Sequence, residues 1–306
     1  MGGATSRGCV YHLTWQFTPY IALCLQLAPA AGKLNIAKNK ELAVPLQISM
    51  ILFNEAPAYA VNELQAFLSS SWPGLPLISD VSAEENTLAF NLAGAEVVIG
   101  TMPAPVPWSD LEGPCATSIL WPDAASVVPG HKHHALVTVR GELAPVALST
   151  VLTQVTAALM ATTPGTPGVF WTNAALLVPK DMFIDFAVKI MPLGPPLTIW
   201  VDCRVGWTEV DALSSGFTTG LAELGLMELE AQGATEPPAE LRERFEAIAQ
   251  YLLENGQVIN DGDTLGESAD EKIRVVYAES AFGIEGTVMR LVYESEPTKK
   301  PWWKPW

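Results

Sequence analysis

Cysteine is scarce in this sequence. Four stand in 306 residues, Cys9, Cys24, Cys115 and Cys203, and no two form a CxxC pair. That spacing argues against a disulfide framework and against structural zinc. Positive charge is scarce as well. Lys and Arg number 17 against 33 Asp and Glu, a net charge of −16. Such a chain repels phosphate backbones, which argues against nucleic acid as a direct ligand. It suits a basic protein partner, because complementary charge speeds encounter. Charged residues make up only 16% of the chain and hydrophobic residues 49%, so long disordered stretches are not expected. No GxGxxG stands between a strand and a helix, and no GxxxxGK[ST] occurs, so the common dinucleotide and phosphate cradles are missing. The apolar stretch PYIALCLQLAPAA (19–31) is too short and too interrupted to span a membrane. Only Arg7 precedes it as a firm positive charge, a weak signal-peptide pattern. Residues 1–41 are therefore read as an extension on a cytoplasmic protein.

What charge there is falls unevenly. Residues 1–205 hold 14 acids and 9 Lys/Arg; residues 206–306 hold 19 acids and 8 Lys/Arg. Most of the field thus belongs to the last third of the chain, where ordinary solubility is the simplest reason for it.

Local pattern gives a mixed order of elements. LAVPLQISMILF (42–53) reads as a buried strand. Leu64, Phe67 and Leu68 follow Pro57 at helical spacing. ENTLAFNLAGAEVVIGTMP (85–103) reads as two strands joined at Gly94. A Pro-rich loop then leads to a short helix that Ser109 or Asp110 is placed to cap. HHALVTVRG (133–141) alternates like a half-buried strand, and residues 143–161 form a helix that is apolar nearly all round. TTPGTPG (162–168) is the best joint between halves. After it come VFWTNAALLVP, a helix near 180–190, and a strand over PPLTIWVDCRVGW (195–207). A strand, a helical turn and a strand occupy 215–232, and the clearest helix runs from Pro237 to Gly256. Two last strands meet around Gly283 and Gly286. Strands and helices do not alternate strictly. That favours an α+β fold of two mixed halves, with largely antiparallel sheets covered by helices, over a doubly wound parallel fold. The divisions expected are an extension over 1–41, an N-terminal domain over 42–165, a C-terminal domain over 166–296 and a tail over 297–306.

GDTLGESADEKIRV (262–275) carries a resemblance. With YLLENGQVINDGDT and GFTTGLAELGLMELE before it, it resembles the C-terminal signature of the bacterial family called domain of unknown function 4261. VFWTNAALLVP, LTIWVDCRVG, MPAPVPWSDLEGPCATSILWP and HHALVTV are similar to segments leading into that domain, so the resemblance spans about residues 48–294. It implies a cytoplasmic α+β protein with no established catalytic residues and no cofactor. It also implies bacteria that carry type VI secretion systems, with an immunity role for some members.

Three constellations invite a chemical reading. DGDTLGESADE (261–271) offers the oxygens of a calcium loop but misses the EF-hand spacing, because Gly262 stands at its second position. Its simpler reading is a turn in which Asp263 accepts backbone N–H bonds ahead of a strand. His131, His133 and His134 lie within four residues. His131 and His133 would share one face of an extended chain and form a metal pair, with Asp123 or Asp202 as the distant third ligand; a solvated or hydrogen-bonded trio is the plainer reading. KKPWWKPW (299–306) sets three Trp among Lys and Pro. That suits a partner groove but gives too little apolar area for stable membrane association.

These features lead to a non-catalytic protein-binding module, expected to be a homodimer. Its most concrete form is an immunity protein that neutralises a basic type VI effector toxin by occlusion. The partner-binding residues expected from charge and position are Asp261, Asp263, Glu267, Asp270 and Glu271, with Trp207 and Phe217 as anchors. The alternatives are a metal-dependent hydrolase centred on the histidine cluster and a structural scaffold.

Overall fold

The computed structural model describes residues 44–208, 213–266 and 273–293. Thirteen strands in these residues build two sheets. The first sheet begins with β1 (Leu46–Phe53), whose continuous apolar run marks a strand buried on both faces. Helix α1 (Val61–Ser71) follows. It starts four residues after Pro57, because Ala60 keeps an extended conformation at the cap. Strands β2 (Ser79–Glu84), β3 (Thr87–Leu92) and β4 (Ala95–Met102) form a meander, and the turn at Ala93–Gly94 takes positive φ at both residues.

Helix α2 (Trp108–Thr117) is not capped by Ser109 or Asp110. Pro107 occupies the cap, and the Ser109 hydroxyl donates to the Asp110 carboxylate instead. After the short α3 (Ala124–Val127) and a 3-10 turn, β5 (His133–Arg140) pairs with β1 along its whole length, from Leu46↔Arg140 to Phe53↔His133. Helix α4 (Pro145–Thr162), β6 (Gly168–Trp171) and β7 (Leu176–Pro179) complete this part, and the sheet order is β2-β3-β4-β5-β1-β6-β7, antiparallel throughout.

The alternation expected for β5 is hidden in the structure, since six of its eight residues are buried on one face or the other. Ala135, Val137 and Val139 meet the main core, where α1 and α4 pack. Leu136 joins a smaller core with Met50, Leu52, Leu111 and Val128 under α2 and α3. Helix α4 is the apolar centre expected for it. By length and composition it would cross a membrane, but 67% of it is buried inside the fold, as a core helix is.

Helix α5 (Lys180–Asp185) and a π turn through Ile190 lead to α6 (Leu197–Trp200). The strand expected over 195–207 is therefore shorter. Pro195 and Pro196 start a helical turn, which directs the Trp200 Nε1–H onto the Thr153 hydroxyl of α4 at 2.8 Å. Strand β8 (Asp202–Trp207) begins only after it. With β9 (Ser214–Thr219), β10 (Leu229–Ala234), α7 (Pro238–Asn255), the short β11 (Thr264–Leu265), β12 (Ile273–Glu279) and β13 (Thr287–Tyr293), it builds the second sheet, in the order β11-β12-β13-β10-β9-β8. Only β10 and β13 pair in parallel. The stripe of α7 is as its spacing requires: Leu241, Phe245, Ala249 and Leu252 are buried against this sheet.

The two sheets share one core. Leu148, Val155, Trp171 and Phe183 of the first half lie in the same cluster as Phe245, Val275 and Leu291 of the second. Polar contacts tie the seam: Gln47 Nε2 donates to the Glu223 carbonyl at 2.8 Å, and the Thr219 hydroxyl donates to the Ala174 carbonyl at 2.9 Å. This is the mixed two-half α+β architecture expected from the sequence.

Candidate interaction surface

Strand β10 and the residue that leads into it carry acids where a buried strand would carry apolar residues. Glu228 and Glu230 alternate with Leu229 and Ala231, and both carboxylates are buried. A buried charge needs partners, and the fold supplies them. Glu230, wholly buried, accepts from Arg290 Nε at 2.7 Å, from the Ser280 hydroxyl at 2.7 Å and from the Ala281 N–H at 2.9 Å. Glu228 accepts from the Thr218 hydroxyl at 2.7 Å and from the backbone N–H groups of Gly220 and Ala222 at 2.8 and 2.9 Å. Burial pushes its carboxyl upward, and those donors pull it back. Beyond β10, Glu236 receives a two-pronged Arg244 and the Tyr293 hydroxyl. At the far edge Asp202 pairs with Arg204 at 2.7 Å. Sequence reading passed over this set, although a lone acid or Arg inside a β-rich run is its signal.

These carboxylates hold loops and strands together, and each has its donors already in place. Among the described residues, Cys115 and Cys203 are not poised nucleophiles. Burial, with Glu246 close by, pushes the Cys203 thiol up to about 12, and burial also raises Cys115. A thiolate is the reactive form, so both stay protonated at neutral pH.

The histidines are spread over two structural roles. His131 lies before β5, at the end of the 3-10 turn. Its Nε2 accepts the Val106 N–H at 2.8 Å, and its Nδ1 lies 2.5 Å from the Val128 carbonyl. One nitrogen therefore donates and the other accepts, which fixes a neutral tautomer. The lone pair that a metal would need is engaged by backbone. His134 Nδ1 faces the Ala104 carbonyl at 2.8 Å. His133 pairs with Phe53 in the register of β5 with β1, and is partly exposed. The pair of ring faces imagined for His131 and His133 is replaced by His131 and His134 near each other, each lowered by burial. The proposed distant ligands stand elsewhere: Asp202 belongs to β8, and Asp123 stands at the N-terminal boundary of α3 without a side-chain capping bond. Among the described residues, no three His, Cys, Asp or Glu side chains gather in a metal-holding group.

The Asp-Gly-Asp stretch is a strand-entering turn. Gly262 takes φ +87°. Asp263 Oδ2 accepts the Asn260 N–H at 2.7 Å, and Asp261 Oδ1 accepts the Tyr277 N–H at 2.8 Å. The backbone of 262–263 zips onto Val275, and the Tyr277 hydroxyl donates to the Ile259 carbonyl. Asp261 and Asp263 thus sit beside β12. Trp207, 61% exposed, ends β8 at the opposite edge of the sheet. Four strand steps separate β12 from β8, about 19 Å. Phe217 lies between them on β9, partly buried against Phe282 with ring centroids 5.0 Å apart. The structure does not bring these four residues into one patch. Glu267, Asp270 and Glu271 lie outside the described residues.

A more continuous surface runs along the β8 edge. An open cleft between α6, the start of β8 and α7 is lined by Leu197, Thr198, Val201, Cys203, Glu246 and Gln250. From it β8 leads to Trp207. Glu240, Glu243 and Glu246 stand exposed on the neighbouring helix α7. Glu246 lines the cleft itself, and the exposed indole of Trp207 ends the same outer strand; Arg242 of α7 lies close enough to Asp202 and Cys203 to act on both groups.

A family model described as "Domain of unknown function (DUF4261)" matches residues 217–292. That stretch runs from β9 nearly to the end of β13 and holds Glu228, Glu230, Glu236, Arg244 and Arg290. The match is narrower than the resemblance drawn over 48–294, and leaves out β8 and the first sheet. No curated protein and no solved structure matches this chain.

Proposed function

We propose that this chain is a protein-binding module, and in its most concrete form an immunity protein that neutralises a type VI secretion effector. One observation carries the reading. Inside the fold, charged groups such as Glu230 and Arg290 are matched to each other, whereas the acids of α7 and the indole of Trp207 face outward beside an outer strand. An acidic rim steers a basic partner, and a large exposed aromatic side chain is the usual kind of anchor. The stretch matched by the family model, residues 217–292, lies in the same half of the molecule. The effector version rests on the sequence resemblance to the matched family, and includes a homodimer in the cytoplasm.

The test is co-expression with the products of neighbouring genes. A stoichiometric basic partner, whose toxicity this chain relieves, supports the reading. Absence of any such partner, with no relief of toxicity, removes it. Trp207→Ala is expected to weaken a complex formed on this face by about 2 kcal/mol or more, as hot-spot aromatics do.

A further inference from the structure

Strands β2 and β7 end the first sheet, and β11 and β8 end the second. Three of these edges are blunted. Strand β2 carries Asp80 and Glu84 and has a register shift between Ser79 and Ser82. On β7 the Lys180 N–H donates back to the Pro167 carbonyl, so by alternation Leu177 and Pro179 turn their backbone outward. Pro179 has no N–H to offer there, and the Ser118 hydroxyl donates to the Leu177 carbonyl at 3.4 Å. Strand β11 is only two residues long. Charge, bulge, proline and shortness are the usual protections of a strand edge.

Strand β8 shows none of them over Val205–Trp207. It pairs with β9 in an unbroken register from Asp202↔Thr219 to Trp207↔Ser214. The Thr208 N–H donates to the Leu213 carbonyl at 2.7 Å. By alternation Gly206 and Arg204 also face β9, while Val205 and Trp207 turn their N–H and C=O groups outward. No strand pairs with that outer side among the described residues.

The flank of this edge carries charge of one sign. Trp207 faces Ser214, which faces Ala234, and α7 starts soon after at Pro238. The helix therefore begins at the Trp207 end and reaches Cys203 with Glu246 and Gln250, which line the cleft beside it. Glu243, Glu246 and Gln250 are spaced to share one helix face. The nearby arginines are turned inward: Arg204 pairs with Asp202, Arg244 with Glu236, and Arg242 acts on Asp202. Glu243 and Glu246 are exposed and have no ion-pair partner among the described residues. Below Glu246 the cleft is apolar, with Leu197, Val201 and Ala249. An aliphatic stem with a cationic head suits that combination. A second copy of this chain suits it less. The two-fold axis that pairs β8 with itself would set both α7 helices on one face, acid toward acid.

We infer that the β8 edge takes up the extended backbone of a basic partner segment, antiparallel to β8, with a Lys or Arg of that segment in the α6–β8–α7 cleft against Glu246. The inference rests on the protein-binding reading and supplies its contact. Cys203, Val205 and Trp207 share the α7 side of the strand, as Cys203 lines the cleft. In an antiparallel pair, residues opposite Val205 and Trp207 bond to them and point their side chains to that same side. The basic positions of the segment are thus the ones whose N–H groups β8 binds.

Amide hydrogen exchange of the full chain tests this, with a synthetic peptide of alternating Lys and Val as the probe. In the free chain, Val205 and Trp207 are expected to exchange at least about tenfold faster than Arg204 and Gly206. Saturating peptide is expected to remove that difference. N-methylation of the peptide at its Lys residues is expected to abolish the protection, and N-methylation at its Val residues to leave it intact. E243K/E246K is expected to weaken the peptide at least about tenfold, with α7 amides unchanged as the check on folding. No protection by the Lys/Val peptide, or equal protection by a Glu/Val peptide, overturns the inference. Slow exchange of Val205 and Trp207 in the free chain overturns it too, in favour of a second copy where protection rises with protein concentration and of the chain's own residues where it does not. Relief of toxicity by a chain whose β8 amides ignore the peptide strikes this contact alone. Peptide protection without relief of toxicity strikes the effector reading alone, so the two failures are distinguishable.

Discussion

The two sheets solve burial by opposite means. The first packs mainly apolar side chains on both faces, with helices α1 and α4 on one side and α2 and α3 on the other and buried polar contacts limited to neutral groups such as Ser49 with Thr156, and its strand β5 buries six residues of eight. The second puts acidic side chains inside: Glu230 is wholly buried against Arg290, and Glu228 is bound by a hydroxyl and backbone N–H groups. Apolar packing is tolerant of substitution at constant volume. A buried ion pair is not, because loss of either member strands the other. The second half is therefore the more specified of the two, and it is the half the family model matches.

The largest effect is expected from splitting that pair. Arg290→Ala leaves Glu230 buried with only the Ser280 and Ala281 donors, and is expected to destabilise by about 3–5 kcal/mol in urea unfolding. The double variant R290M/E230Q removes both charges and is expected to recover most of the loss. A comparable cavity change in the first sheet, Val137→Ala, is expected to cost less, about 2 kcal/mol. If Arg290→Ala proves no worse than Val137→Ala, the contrast between the sheets is wrong.

A glycine pair sharpens the same contrast at the seam. Gly220 takes φ +110°, and a Cβ there would lie 2.3 Å from the Trp200 carbonyl oxygen and 2.9 Å from the Ala174 side chain. Gly262 takes φ +87° with open space around it. Gly262→Ala is expected to cost the backbone strain alone, about 1–2 kcal/mol. Gly220→Ala adds a clash with the Trp200 backbone and the Ala174 side chain and is expected to cost more than about 2 kcal/mol. Thermal unfolding of both variants checks the order.

Much of this was legible in the sequence because local pattern decided it. Helix α7 follows from its Pro start, Gly256 stop and apolar stripe, and α4 from an apolar composition that only a buried site satisfies. The paired turn at 261–263 follows from Asp-Gly chemistry. What escaped was set by distant contact. Strand β2 has no apolar residue buried; it exists because β3 offers an edge. The turn of α6 replaces the start of a strand because Thr153, 47 residues away, takes the Trp200 N–H. Trp207 and Asp261 look like neighbours by chemistry and stand at opposite edges because β13 and β10 pair between them. The matched partners of Glu230 come from β13 and the loop before it, so no local window contains that site.

Acid separates the two halves in sign. His131 and His134 sit below the ordinary histidine value of 6.5 in the fold, through burial. The unfolded chain then binds more protons, so their contribution is full above about pH 6.5 and falls as pH drops toward the folded values. In the second half, burial raises Asp202 and Glu228. A raised carboxyl carries its penalty at neutral pH and sheds it as pH falls through the folded value. Hydrogen exchange from pH 7 to pH 5, corrected for intrinsic rates, is expected to loosen Val106 and His131–Leu136 while the amides of Thr218–Ala222 hold or tighten. His131→Gln, which keeps an acceptor and a donor, is expected to remove most of the loosening.

The smallest effect belongs to the stretch that first suggests chemistry. Asp261 and Asp263 are exposed, and each carboxylate satisfies one backbone N–H. Replacing either by Ala is expected to cost about 0.5–1 kcal/mol, the net value of one such bond, with α7 unaffected. The same variants also measure the reach of a partner. Trp207 and Asp261 lie about 19 Å apart across the sheet, so a ligand seated on β8 loses affinity with Trp207→Ala and is expected to change by less than about twofold with Asp261→Ala. A loss of tenfold or more from both would require a partner that spans the sheet from edge to edge, and would return Asp261 from a turn residue to a contact.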